Sequence, residues 1–215
     1  MSKAPKVVGF KEISFWQEDG IGVIAMLTGD DGKVTMNFFD EFLRAITLAI
    51  TDEKVRSLVI TGTNDTFFKG VRDLSNSTIR TYLELTSATA SFLSTMDKPV
   101  ISIVNGNAED LGVELALLSD VIIAKKGTLL EVSGTYEPVM GFSISALKYS
   151  FFKNGEAEEK SNCDIIMEGE DFLEKASDYI KKLGNPGLNL IRRNRLKDIR
   201  NALSIEREYF LLKSL

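Results

Sequence analysis

Hydrophobic residues along this chain recur with two different periods. Near the start, "KEISFWQED" and "IGVIAMLTG" are short runs rich in β-branched and aromatic residues, with Asp19–Gly20 between them. That dipeptide accepts the positive φ angles of a tight turn, so the two runs predict a hairpin. After the turn-rich "GDDGKVT" the period lengthens. In "MNFFDEFLRAITLAITDE", Phe38, Phe42, Ile46 and Ala49 fall on one helical face, and Asn37 is the expected N-cap. "VRSLVITG" predicts a short, almost wholly buried strand, as parallel sheets prefer. A helix over 78–96 follows, ending before Lys98–Pro99, and then strand "PVISIVNG", helix "DLGVELALLSD" and strand "DVIIA".

Strands alternating with helices at this spacing predict an α/β fold of repeated β-β-α units. From residue 143 the pattern turns helical, in "SISALKYSFFKNG", "EDFLEKASDYIKKLG" and "LNLIRRNRLKDIRNALSIEREYFLLKSL", with Gly184-Asn185-Pro186-Gly187 between the last two. The expected organisation is therefore a core over 1–142 and a helical region over 143–215. Leu190, Leu196, Ile199 and Leu203 give the last segment an apolar face. That face suits either the core or a neighbouring subunit.

Composition narrows the chemistry. A chain of 215 residues can bury one substantial core. Its net charge of −5 offers no footprint for nucleic acid or an anionic membrane, and Arg192, Arg193 and Arg195 form only a local cluster. There is no histidine, which excludes Ser–His and Cys–His triads and leaves proton transfer to Glu, Asp, Lys, Tyr or Cys163. A single cysteine can make neither an internal disulfide nor a zinc site, and it suits a reducing compartment. The start, "MSKAPKVVGF", lacks the apolar run of a signal peptide, and no stretch is long enough to cross a bilayer. A cytoplasmic protein with no metal, membrane or nucleic-acid partner is expected.

One carboxylate stands out. In "DLGVELALLSD", Glu114 shares a helical stripe with Leu111, Leu115 and Leu118. Ionising an acid in such surroundings is costly, which raises its pKa and suits it to general acid or base work near neutrality. Unpartnered N–H groups at a helix start also attract an oxygen that gains negative charge. The competing reading is that Glu114 meets solvent or a backbone N–H and does nothing, while Glu109 and Asp110 cap the first turn.

The sequence resembles the crotonase superfamily, the enoyl-CoA hydratases and isomerases. "KPVISIVNG", a helix ending "ELALLSD" and "VIIA" stand where that family has K-P-x-I-A-x-V-x-G, a triple-glycine turn, x-E-L-A-x-x-C-D and a strand. "VRSLVITGTNDTFFKGVRDLS" is similar to its strand followed by F-x-A-G-x-D-L, with one residue inserted before Asp73. "TMNFFDEFLRAI", "FLEKASDYIKKL" and "IEREYFLL" resemble its N-A-L-N helix entry and its closing helices.

The resemblance implies a crotonase-like spiral with C-terminal helices, and a homotrimer or dimer of trimers. It implies an acyl-CoA thioester as substrate, with coenzyme A part of that substrate and no separate cofactor. It also implies a backbone oxyanion hole made by the N–H groups of Val71 and Leu111. Asp110 and Leu111 replace two of the three glycines. Glu114 matches the first catalytic glutamate. For the second acid three alternatives stand: Glu131, by the Glu-to-Pro138 interval with three residues deleted; Glu137; or none, since the ungapped position is Gly134. Tyr136 is a further proton donor to weigh. Lys33, Thr35, Lys69 and Gly70 occupy the neighbourhood that binds the CoA ester in the family. Two acids suit hydration and one suffices for isomerisation. The alternative to an enzyme is a degenerate homologue with a binding or structural role, or, outside the family, an α/β scaffold.

Overall fold

A computed structural model describes residues 9–72, 75, 77–133, 155–157, 163–183 and 187. As far as Leu117, each unit of the fold contributes a long strand, one or more short strands and a helix. The long strands β1 (Ile13–Glu18), β2 (Ile21–Met26), β4 (Ser57–Thr61), β7 (Val100–Val104), β9 (Val121–Lys125) and β12 (Ile165–Met167) form one sheet in the order β1-β2-β4-β7-β9-β12. Within this sheet only β1 and β2 run antiparallel, joined by the expected hairpin with Asp19 and Gly20 at φ 52° and 83°. The short strands β5 (Thr66–Phe68), β8 (Asn107–Glu109), β10 (Leu129–Glu131) and β11 (Gly155–Glu156) form a second sheet, β11-β10-β8-β5. The pair β3 (Lys33–Val34) and β6 (Gly70–Val71) lies beside them in sequence order.

Alternation along the main strands divides the core. Ile24, Leu58, Ile60, Val100 and Ile122 face the helices α1 (Asn37–Thr51), α2 (Ile79–Thr95) and α3 (Leu111–Leu117). Val23, Val59, Ile101, Ile103, Val121 and Ile123 face the other way, onto Phe172, Ala176 and Ile180 of a helix over 172–183. Both faces are covered, which is why these strands read as continuous apolar runs. β12 lies within the stretch read as helical, and it extends the main sheet beside β9. The other helical expectations, over 143–155 and 188–215, fall almost entirely outside the described residues.

The start of α1 differs from the sequence reading. Asn37 is the first helical residue, not the cap; Met36 holds the cap position, and the Thr35 hydroxyl accepts the Asn37 N–H at 3.2 Å. The Asn37 side chain instead donates to Glu41 at 3.0 Å. Glu41 is buried among phenylalanines, and its carboxylate also accepts the backbone N–H groups of Lys11 and Glu12 at 2.9 and 2.8 Å. This acid fastens the chain entering β1 onto α1. At the other end of α1, the Lys98 ammonium clasps the carbonyls of Ala49, Ile50 and Asp52. It satisfies acceptors that a helix end leaves open, and burial lowers its pKa.

Candidate active site

Three parts of the chain distant in sequence meet where the second sheet ends. β8 pairs in parallel with β5 on one side and β10 on the other, placing Ala108 opposite both Phe68 and Leu130, and Glu109 opposite Glu131. The segments leaving these strands, 69–71, 110–111 and 132–133, are therefore neighbours. Lys69 pairs with Glu109 at 2.6 Å, and the Ser133 N–H donates to Asp110 at 2.7 Å.

The first of these segments carries Val71. Lys69 and Arg72 donate their backbone N–H groups to Gly32 and Val34 at 2.9 and 2.8 Å. Successive amides of a strand point to opposite edges, so the Val71 N–H faces away from β3. Gly70 supplies a φ of 146° at the turn into β6. Arg72 grips Asp31 with two bonds of 3.0 and 2.5 Å. That contact, with the Lys33 N–H next in weight, holds the Asp31 carboxyl well below the usual carboxylate range.

The second segment carries Leu111, the first residue of α3. Asp110 precedes it with φ 42° and ψ −104°, a conformation that L-residues rarely adopt. Its N–H donates to the Glu131 carbonyl at 2.8 Å and its own carbonyl accepts the Glu114 N–H at 3.0 Å. Its carboxylate makes no capping bond to α3 and turns to Ser133 instead. Glu109 is engaged with Lys69. Neither acid therefore caps the first turn, and no hydrogen bond among the described residues engages the Leu111 amide. Gly112, the third position of the family's glycine turn, sets the spacing: a Cβ there would lie 1.8 Å from the Phe68 carbonyl oxygen. The start of α3 thus rests directly on the end of β5.

Glu114 lies in the first turn of α3 and is 2% exposed, in a wall of buried Leu111, Val113, Leu115 and Leu118. Tyr82 of α2 faces it electrostatically. Burial, and then the Glu114 charge, push the Tyr82 phenol well above its ordinary 10.0. Tyr82 packs edge-on against Phe39 at 5.8 Å, and Phe38 of the same helix packs on Phe68 at 5.5 Å. The aromatic side chains of α1 therefore brace both the Glu114 region and the end of β5. Tyr82 escaped the sequence reading, although Tyr82, Thr86, Thr89 and Leu93 are spaced as one buried helical face.

The remaining expected residues are distributed around this centre. Glu131 is an exposed residue at the end of β10. Lys33 lies opposite Gly70 in the β3–β6 register. The Thr35 N–H and hydroxyl both donate to the Glu12 carboxylate, the former at 2.7 Å. Gly134, Tyr136, Glu137 and Pro138 lie outside the described residues. A groove of about 450 Å³ on the far face of the main sheet, lined by Trp16, Thr61, Asn105, Lys125 and Phe172, contains none of the expected site residues.

This architecture is shared. The model of the enoyl-CoA hydratase/isomerase family matches residues 18–142. The chain belongs to that family, within the crotonase superfamily. It is 26% identical over 207 residues to a probable mitochondrial enoyl-CoA hydratase of Dictyostelium discoideum, covering 86% of this chain and 75% of that protein. Its fold is that of an enoyl-CoA hydratase from Mycobacterium avium subsp. paratuberculosis, with TM-score 0.79, 19% identity and 97% of each chain covered. An enoyl-CoA hydratase from Bacillus anthracis is also similar, with TM-score 0.73, 18% identity and 93% and 90% of the two chains covered. No helix among the described residues is long and apolar enough to cross a membrane.

Proposed function

We propose that the protein acts on an acyl-CoA thioester, as an enzyme of the enoyl-CoA hydratase/isomerase type. The N–H groups of Val71 and Leu111 receive the thioester oxygen, and Glu114 is the acid/base. In an isomerisation, Glu114 takes a proton from the carbon next to the thioester. The C–H electron pair moves into the carbonyl, and the resulting enolate oxygen is held by the two amides. The same carboxyl then returns the proton further along the acyl chain. Hydration needs a second group to handle water, and Glu131 is the described residue offered for it, at the end of the strand paired with β8. Lys33, Thr35, Lys69 and Gly70 serve the CoA portion, and the active form is a homotrimer or dimer of trimers. A cytoplasmic location remains part of this proposal.

The observation that carries the reading is the convergence of the β5 and β8 ends on α3, one turn from a buried carboxylate. A degenerate homologue with a binding role is the second reading. It is favoured by the Asp110 charge beside the proposed oxyanion and by the engagement of Lys69 with Glu109. Absorbance of the conjugated thioester, followed with crotonyl-CoA and with a 3-enoyl-CoA, separates the two. Turnover that disappears in Glu114→Gln supports the enzyme. Thermal stabilisation by the esters without turnover supports the binding role.

A further inference from the structure

Asp110 occupies a backbone conformation that glycine adopts freely and other residues seldom do. Such a conformation persists only where surrounding contacts over-determine it. Here three contacts do so. The Asp110 N–H is bound to the Glu131 carbonyl at 2.8 Å, its carbonyl to the Glu114 N–H at 3.0 Å, and its carboxylate to the Ser133 N–H at 2.7 Å. A weaker contact of 3.4 Å reaches the Ser133 hydroxyl. The side-chain bond is the informative one. An acid at a helix cap ordinarily turns to the amides of its own helix, whereas this one reaches across to the segment leaving β10. It thereby bridges the two ends that carry Leu111 and Glu131.

We infer that Asp110 is a positioning residue: its carboxylate latches onto Ser133 and holds the Leu111 amide and the Glu131 segment in a fixed relation around the acyl site. Glycine would adopt the same φ without strain but could not make the latch. Asparagine is isosteric with aspartate, so it meets the same backbone demand and keeps an acceptor oxygen for the Ser133 N–H. Alanine has neither property. The inference rests on the proposed acyl-CoA reading for its consequence, while the latch itself is a matter of hydrogen bonding.

The test compares wild type, Asp110→Asn, Asp110→Gly and Asp110→Ala as full chains, with two readouts. Amide hydrogen exchange at Ser133 reports the latch without reference to activity. Protection should persist in the Asn variant and be lost in the Gly and Ala variants. Turnover of crotonyl-CoA and a 3-enoyl-CoA reports positioning. In the Gly variant, which keeps the backbone unstrained, kcat should fall roughly ten-fold or more with KM little changed, and Asn should restore it. Wild-type exchange at Ser133 in the Gly variant overturns the inference, as does lost protection with wild-type kcat. If wild type turns over neither ester, the enzymatic reading fails separately and calorimetric affinity for crotonyl-CoA takes the place of kcat. Weaker binding by the Gly variant, rescued by Asn, then supports the inference and equal binding overturns it. A wild-type chain that neither converts nor binds the thioester overturns both.

Discussion

Glu41 and Glu114 are two buried acids on two apolar helix faces, 3% and 2% exposed, and their surroundings differ in kind. Glu41 sits in α1 with donors converging on both oxygens: two backbone N–H groups from the strand entry and the Asn37 amide. A carboxylate held this way is a fastening. Glu114 sits in α3 at the meeting point of three strand ends, facing a phenol whose pKa its charge helps to raise. Burial of an acid is thus a poor guide to its use. The elements that end beside it are a better one.

The comparison breaks most sharply in a double exchange of Glu to Gln. Glu114→Gln is expected to lower turnover by roughly a thousand-fold, with a small change in melting temperature. Glu41→Gln should do the reverse, leaving activity per folded molecule near wild type. Steady-state rates beside thermal melts decide it, and equal losses of activity in the two variants would erase the distinction. Glu41→Ala goes further on the stability side. Removing an acceptor from the Lys11, Glu12 and Asn37 donors should cost about 3 kcal/mol in urea unfolding. Gly112→Ala ranks next. Its methyl would collide with the Phe68 carbonyl, so about 2 kcal/mol of destabilisation is expected, with a larger loss in kcat than in the melt. An unaltered Gly112→Ala would mean that α3 does not rest on β5 as described.

Smaller effects sharpen the contrast. The folded state keeps the Tyr82 proton above the ordinary phenol value, so it binds more protons than the unfolded chain once pH passes 10.0. Stability from this group is fully present below that value and falls as pH rises beyond it. Tyr82→Phe should lose stability less steeply than wild type between pH 10 and pH 11.5, measured by urea unfolding. Parallel curves would mean that folding does not raise the Tyr82 pKa. Least of all, Asp31→Asn should leave the urea midpoint almost unmoved, because both it and Arg72 are well exposed.

The long strands and helices were legible because burial on both faces or on one stripe leaves a period in the sequence. The helix expected over 78–96 spans Ile79–Thr95, and Asp19–Gly20 makes the hairpin turn. The short strands were not legible. β5, β8 and β10 have three residues each, too few to show an alternation, yet they set Ala108 between Phe68 and Leu130 and Glu109 opposite Glu131. Glu114 stood out because leucines surround it in sequence. Glu41 did not, although Phe38 and Ala45 flank it at the same helical spacing, because Asp40 and Arg44 nearby made the helix look amphipathic in the ordinary way. Asn37 missed the cap because its amide is drawn to Glu41. The partners of Lys69 and Asp110 could not be read at all, since they lie 40 and 23 positions away along the chain.

The three-residue strand β8 serves as a common ruler for the regions it joins. Because Ala108 sets the height of Phe68 on one side and Leu130 on the other, a single residue added or removed between Val104 and Glu109 would displace both flanking segments against α3 together. Length in that turn is therefore less free to drift than length in the loops on either side, which hang from one strand each.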